Sequence, residues 1–318
     1  MATLIVSVDV EEDMPEWRVQ AQTTTRNLQS LEGVQAICER VGVRPTYLCT
    51  WPVATRADGA FLGDWARSGR AEVGSLLHGW LTPPFDAGES RLEALGAHRL
   101  STSSLNAKIA ALTEAVANRI GAAPRSFRSG AFSLHGATLQ LLERYGYRVD
   151  CSVAPLLDTR DTGGVDHRSA PEVPYFPDRQ FVERRGASPV LEVPVSVGLL
   201  RAVPGSVARV LAHLPPGLGL TQRLIRAGGL ECHRLHPSAT LDVLCRLADV
   251  LVERDVPVLH LYLRSSEFFA GASGGPRTVD EVHQYLEKTE RFLAYAMHTL
   301  GVIPRTLSEF AESWASGG

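Results

Sequence analysis

The stretch TLIVSVD, residues 3–9, indicates the fold of this chain more directly than any other. It is a short apolar run that ends in an acid. Such a run is typical of a strand that is covered on both faces of a parallel sheet. A carboxylate half-buried at the end of that strand needs a partner, because burying an unpaired charge is costly. We therefore expect Asp9 to lie at a functional edge of a covered sheet.

Six further β-type runs follow, and helical patterns separate several of them. The runs cover residues 44–51, 71–77, 126–132, 147–153, 190–196 and 256–263. Apolar residues at helical spacing predict helices within residues 28–42, 104–121, 136–146 and 278–301. The last helix opens with a capping box, Thr278 followed by Glu281, and is expected to end at Gly301. This alternation predicts a mostly parallel sheet. Seven or so units favour an α/β barrel over an open sheet, which is the alternative.

The composition excludes several classes of protein. A chain with 44% hydrophobic and 21% charged residues is typical of a soluble globular protein, here a single domain over residues 1–318. No Lys/Arg-rich run is present, so we expect no nucleic-acid partner. The absence of a signal-peptide pattern and of a bilayer-spanning apolar run predicts a cytoplasmic protein without a membrane partner. The five cysteines form no CxxC pair, which argues against a thiolate zinc site.

Polar side chains fall at or near the carboxyl ends of the predicted strands. They are Asp9 and Glu11 after the first run, His78 and Trp80 after the third, Arg128 and Ser129 at the fourth, Asp150 in the fifth, and Arg264 and Glu267 after the last. In a parallel barrel these ends share one face, which carries the active site. Each residue alone has an ordinary structural explanation, such as a solvated acidic turn or a packed tryptophan. Their convergence favours an enzyme-like cleft.

In this order, several motifs resemble those of the polysaccharide deacetylases (carbohydrate esterase family 4). They are VSVDVEED, RPTYLCTWPVAT, EVGSLLHGWLTPPFD, FRSGAFSLHGATLQLLERYGYRVDCSV, PYFPD, LEVPVSVG and SSEFFAG. The chain looks most like the branch that starts with an Asp-x-Glu motif. The likeness extends over nearly the whole sequence and implies a distorted seven-stranded (β/α) barrel.

The resemblance also implies a reaction, namely removal of an acetyl group from an N-acetylated sugar with the help of one divalent metal. Asp9 matches the general base, and Arg128 matches the arginine that orients it. Glu11 is the nearest match to the acid that binds the metal, with Glu12 or Asp13 as alternatives. Two histidines after the third strand complete the metal site in the family, and His78 is one of them.

The sequence departs from the family pattern at two positions. Leu76 stands where the first metal-binding histidine is expected, and a leucine cannot bind a metal. Arg264 stands where a histidine acts as general acid, and arginine stays protonated near neutral pH. We hypothesise that His236 and Arg264 have exchanged places, whereas His260 is expected to be packed in the core.

Three functions remain open on this basis. The first is a hydrolase that removes an N-acyl group from a small sugar, a sugar-like metabolite or a glycoconjugate intermediate. It would bind a divalent metal, zinc or another, weakly or not at all. The second is a repurposed barrel enzyme, a lyase, cyclase or rearrangement catalyst, that works with little or no metal. The third is a non-catalytic sugar-binding protein. In all three, Trp80, Ser129 and Glu267 are expected to contact the sugar. The sequence leaves the oligomeric state open.

Overall fold

One sheet of parallel strands organises the molecule. The structure is a computed structural model and describes residues 1–17, 23–85, 96–213 and 228–316. The sheet contains β1 (Thr3–Val10), β2 (Thr46–Cys49), β3 (Glu72–Leu77), β4 (Ser126–Ser129), β5 (Val149–Asp150) and β6 (Leu191–Glu192) in that order. The strand β9 (Val258–Arg264) pairs with β1 along its whole length, and the short strand β10 (Ile303–Pro304) pairs with the start of β1.

The sheet curls into a distorted barrel. The chain that follows β6 reaches β9, where the Ser196 amide donates to the His260 carbonyl at 3.2 Å and the His260 amide donates to Ser196 Oγ at 2.8 Å. All seven predicted runs contain a strand of this sheet. The predicted α/β class and distorted seven-stranded barrel are therefore confirmed, and the open-sheet alternative is wrong. β10 was not predicted, since it is only two residues long.

Helices pack around the sheet. They are α1 (Leu31–Arg40), α2 (Trp51–Thr55), α3 (Ala60–Arg67), α4 (Thr102–Ile120), α5 (Gly136–Arg144), α6 (Gly205–His213), α7 (Leu241–Glu253), α8 (Val279–His298) and α9 (Leu307–Ser316). The sequence predicted α1, α4, α5 and α8. The capping box of α8 is present, with the Thr278 side chain accepting from the Glu281 amide and the Glu281 carboxylate accepting from the Thr278 amide. The helix ends three residues before Gly301, where the sequence predicted its end. No helix in the described ranges is both long and apolar enough to cross a membrane.

Alternation along β1 separates the core into two parts. Val6, Val8 and Val10 pack outward against the helices, whereas Ile5 belongs to a second apolar cluster inside the barrel. Leu76 lies in that inner cluster, whose other members include Leu48, Val149, Leu191, Val258 and Phe310 of α9. The barrel interior is thus filled with apolar side chains. The charged residues of the candidate site lie at its carboxyl end.

The antiparallel hairpin of β7 (Val197–Leu199) and β8 (Cys232–Arg234) was also not predicted. Its position is fixed by two backbone hydrogen bonds. The Leu235 amide donates to the Ser196 carbonyl at 2.8 Å, and the Tyr262 amide donates to the Leu235 carbonyl at 3.1 Å. The end of β8 is therefore attached to β9 beside the carboxyl face of the barrel. This places Arg234 and His236 near the residues that follow β9.

Candidate active site

The carboxyl ends of β1 and β4 are joined by a buried ion pair. Arg128 Nη1 donates to Asp9 Oδ1 at 2.6 Å, Nη2 donates to Ser7 Oγ at 2.9 Å, and Nε donates to the Cys151 carbonyl at 2.9 Å. Both partners are almost completely buried. Asp9 therefore has the partner that its position demands. Because three donors of the guanidinium are fixed, Arg128 also fixes the orientation of the carboxylate.

A histidine supports this pair from behind. His260 Nε2 lies 2.8 Å from Ser7 Oγ, the same hydroxyl that accepts from Arg128. Burial, reinforced by the positive charge of Arg128, lowers the pKa of His260 to about 3. His260 is therefore neutral at ordinary pH and lies in the core, as its place inside an apolar strand suggested.

A second pair holds His78 at the end of β3. Its Nδ1 lies 2.9 Å from Glu12 Oε1, and Trp80 Nε1 donates to the same oxygen at 3.1 Å. The Trp80 ring stacks on the imidazole, with ring centroids 4.1 Å apart. Burial alone would lower the pKa of His78, but contact with Glu12 and the nearby charges of Glu11 and Asp9 raise it above the ordinary value. His78 therefore keeps its proton to a higher pH than an ordinary imidazole does.

Glu11 faces the free nitrogen of this histidine. Its Oε2 lies 3.8 Å from His78 Nε2, and its Oε1 accepts from Ser266 Oγ at 2.8 Å. Burial raises the pKa of Glu11 to about 7, although the charges of Arg264 and His78 act against that shift. A carboxyl group with such a pKa can both give and accept a proton near neutral pH. Glu11 is thus a candidate acid or base.

Arg264 and His236 flank the ring of Tyr262. The guanidinium carbon of Arg264 lies 5.7 Å from the ring centroid, and the imidazole centroid of His236 lies 5.3 Å from it. Arg264 Nε donates to the Tyr262 hydroxyl. The two residues hypothesised to have exchanged places therefore share one tyrosine. The two side chains are close enough in space for such an exchange. The part that His236 would play in proton transfer stays a prediction.

Glu267 links His236 to α8. Glu267 Oε2 lies 3.0 Å from His236 Nε2 and accepts from the Tyr285 hydroxyl at 3.0 Å. Burial would raise the pKa of Glu267, but His236, Arg264 and the Tyr285 hydrogen bond lower it below the ordinary value. Glu267 is therefore ionised and balances the positive charge of Arg264. The contact with a sugar expected of Glu267 stays a prediction.

The structure places the other two expected sugar contacts deeper than the sequence suggested. Trp80 is 3% exposed and packs on His78, so it positions the imidazole. Ser129 is completely buried, and its hydroxyl lies 2.9 Å from the hydroxyl of Ser133. Neither side chain offers much surface to a ligand in this conformation.

The donor set does not fit the metal that the resemblance implies. Among the residues described, no three His, Cys, Asp or Glu side chains are arranged to hold a metal. Glu11 and His78, the predicted ligands, face each other, but a third donor is missing. Asp9 is held by Arg128, Glu12 by His78 and Trp80, and Asp13 by Thr24, Arg26 and Asn27. Leu76 packs in the inner apolar cluster, and its side chain has no atom that can bind a metal.

Reasoning from the sequence missed two residues near the site, Tyr262 and Arg234, and gave a third, Glu12, a different role. Glu12 was considered as a metal ligand, whereas it holds His78. Tyr262 was counted as part of an apolar strand, although three arginines, His236 and Phe132 contact its ring. Arg234 lies two residues before His236 in the segment HRLHPS, and the missed hairpin explains why it was overlooked.

No protein-family model matches the chain, and no curated protein matches it in sequence. Solved structures do match. A putative polysaccharide deacetylase from Mycobacterium smegmatis is 17% identical with a TM-score of 0.58, over 99% of this chain and 90% of that one. A putative glycoside hydrolase/deacetylase from Parabacteroides distasonis is 13% identical with a TM-score of 0.64, over 100% and 72%. An allantoinase is 12% identical with a TM-score of 0.53, over 99% and 91%. The curled parallel barrel and these likenesses show that the chain has the polysaccharide deacetylase fold.

Proposed function

We propose that this protein is a deacetylase-type hydrolase that removes an N-acyl group, such as acetyl, from a small sugar or sugar-like metabolite. The observation that carries the proposal is the pairing of Asp9 with Arg128 beside the pairing of His78 with Glu12, both at the carboxyl face of the barrel. The fold supports a deacetylase, and the two pairs supply an oriented carboxylate and an imidazole whose pKa is raised. Amide hydrolysis needs groups of this kind.

The reaction can be assigned to these side chains. Asp9, oriented by Arg128, accepts a proton from water, and the water oxygen adds to the acyl carbon. Protonated His78 and Arg264 stabilise the negative charge that develops on the carbonyl oxygen. The carbon–nitrogen bond then breaks as the leaving nitrogen gains a proton. Two groups are placed to supply that proton, Glu11 through its pKa of about 7 and His236 through the hypothesised exchange.

Release of acetate from a panel of N-acetyl hexosamines and sugar nucleotides tests this proposal. Asp9→Asn should lower kcat by about 100-fold or more, because an amide cannot accept the proton. Asp64→Asn is the matched control, since the Asp64 side chain is 73% exposed on α3 and pairs only with Arg67 among the residues described. Full activity in Asp9→Asn would refute the assigned site.

A second candidate function is non-hydrolytic chemistry on the same barrel, with Asp9 as base and Arg264 holding an anionic group. It is favoured by the two-donor set at Glu11 and His78 and by the arginine in place of a catalytic histidine. Analysis of products by NMR separates the two functions. Acetate and a free amine support hydrolysis, whereas an isomer or an unsaturated product supports a lyase, cyclase or rearrangement reaction. Binding of sugars without any product would support the non-catalytic alternative.

A further inference from the structure

Three arginine side chains converge on the ring of Tyr262. The guanidinium carbons lie 4.9 Å from its centroid for Arg128, 5.6 Å for Arg234 and 5.7 Å for Arg264. Arg234 also stacks on Phe132, at 4.8 Å. Cation–π contacts stabilise each guanidinium, but they do not neutralise its charge. So much positive charge around one ring needs compensation.

Two of the three arginines are compensated by carboxylates. Arg128 forms the ion pair with Asp9. Arg264 lies close enough to Glu11 and Glu267 for both to raise its pKa well above the ordinary value, after the opposing effect of burial. The positive charges of Arg128 and Arg264 are therefore balanced by carboxylates of the site.

Arg234 differs from them. Its Nε atom is buried and has no hydrogen-bond partner within the described ranges, and no carboxylate there lies within ion-pair distance of its guanidinium. Glu267 attracts it only at longer range and is engaged by His236 and Tyr285. Burial, together with repulsion from Arg264 and Arg128, lowers its pKa. An arginine nevertheless stays protonated, so it retains an unsatisfied charge.

The backbone of Arg234 is held firmly in this position. Arg234 ends β8, where it pairs with Val197 of β7. The next residue, Leu235, is hydrogen-bonded to both Ser196 and Tyr262. The hairpin therefore forces a cation next to Arg264. Among the residues described, only the contacts with Phe132 and Tyr262 and the more distant charge of Glu267 offset the cost of burying it.

We infer that Arg234, beside Arg264, binds an oxyanion group of the substrate, either a carboxylate or a phosphate. A guanidinium presents its donors as a planar fork, which suits two oxygens of such a group. Arg234 is partly exposed, so part of the residue remains in contact with solvent. The substrate would then be an acidic sugar or a sugar phosphate. This inference rests on the proposed function for the reaction, but not for binding, since an oxyanion can be held without turnover.

Calorimetric titration with three probes tests it: N-acetylglucosamine, N-acetylglucosamine 6-phosphate and glucuronate. We expect at least one acidic probe to bind about 10-fold more tightly than the neutral sugar. Comparison of the two acidic probes shows whether the site prefers a phosphate or a carboxylate. Arg234→Gln should abolish that preference and leave affinity for the neutral sugar unchanged. Arg246→Gln is the control, because Arg246 is exposed on α7.

The outcomes separate this inference from the proposed function. An equal affinity of the wild-type protein for neutral and acidic probes, or an unchanged preference in Arg234→Gln, would overturn it. If Arg234→Gln does not fold, Arg234→Lys replaces it, because lysine keeps the charge but lacks the planar pair of donors. A preference for acidic probes as large in Arg234→Lys as in the wild type would then count against the inference. Anion preference without acetate release would instead sustain the inference and refute the hydrolase.

Discussion

Two buried groups of carboxylates lie at the carboxyl ends of strands, and they are neutralised in different ways. At the end of β1, Asp9 and Glu12 contact Arg128 and His78 directly. At the ends of β5 and β6, Asp150 and Glu192 lie against each other, and burial raises the pKa of both. The first group contacts basic side chains from other strands, whereas burial favours a protonated form of the second group.

Hydrogen bonds show the contrast in detail. Asp150 accepts from the Ser152 amide and hydroxyl, at 3.0 and 2.8 Å, and Glu192 Oε1 accepts from the Val153 amide at 3.1 Å. Glu192 Oε2 is buried and has no hydrogen-bond partner among the residues described. The second pair therefore ties β5 to β6. Burial alone does not mark a functional carboxylate, whereas a cation drawn from a distant strand does.

Replacing one acid in each group should affect the pH dependence of activity differently. Glu12→Gln removes the carboxylate that raises the pKa of His78, so His78 should lose its proton at a lower pH. If the cationic imidazole stabilises the oxyanion, activity at neutral pH should fall by about 10-fold and recover partly as the pH is lowered. The pH dependence of kcat measures this effect.

Asp150→Asn is the matched control for that variant. It retains an oxygen that accepts from Ser152 and should leave the pH optimum where it is in the wild-type protein. A pH optimum that moves in Asp150→Asn and stays fixed in Glu12→Gln would reverse the assignment of the two groups.

A smaller effect is expected at His236. If His236 has taken over proton donation, His236→Ala should lower kcat and change the alkaline side of the pH–rate profile, where a general acid loses its proton. His298→Ala, at an exposed position on α8, serves as the control. A profile in His236→Ala identical in shape to that of the wild type would reject the exchange with Arg264.

The smallest effect concerns stability. The raised pKa of Glu192 means that the folded protein keeps a proton that the unfolded chain releases above about pH 4.3. The stabilisation that this bound proton gives the folded protein is complete below that pH and is lost as the pH rises towards the folded-state pKa of Glu192. The Glu192→Gln side chain mimics the protonated form at every pH. The unfolding free energy of this variant should therefore rise relative to that of the wild type above about pH 4.3, by at most about 1.4 kcal/mol per pH unit. Urea unfolding at pH 4 and pH 8 measures it, and a variant less stable than wild type at pH 8 would contradict the shared proton.

Much of this organisation was predictable from the sequence because apolar periodicity sets the strands. The run from Glu11 to Asp13 shows where prediction stops. These three consecutive acids resemble a solvated turn, yet Glu11 faces the site, Glu12 holds His78, and Asp13 fixes the following loop through Asn27 and Arg26. Their different roles depend on side-chain directions that only the packed strands define.

Arg234 shows a second limit. The hairpin that carries it contains only three-residue strands, which are too short for a periodic signal. Its place beside Tyr262 follows from backbone contacts with Ser196 and β9, which lie far away in the sequence. Tertiary contacts of this kind are invisible to a reading of local patterns.

The central claim is that cationic side chains, and not a complete set of metal ligands, balance the acids at the end of β1. Zinc titration of metal-stripped wild type and Leu76→His by calorimetry tests it most directly, because residue 76 is where the family pattern expects a ligand. The account predicts weak zinc binding by the wild type and a Kd at least about 10-fold lower for Leu76→His, once a third donor is present. Tight, stoichiometric zinc binding by the wild-type protein, unchanged by the substitution, would contradict it.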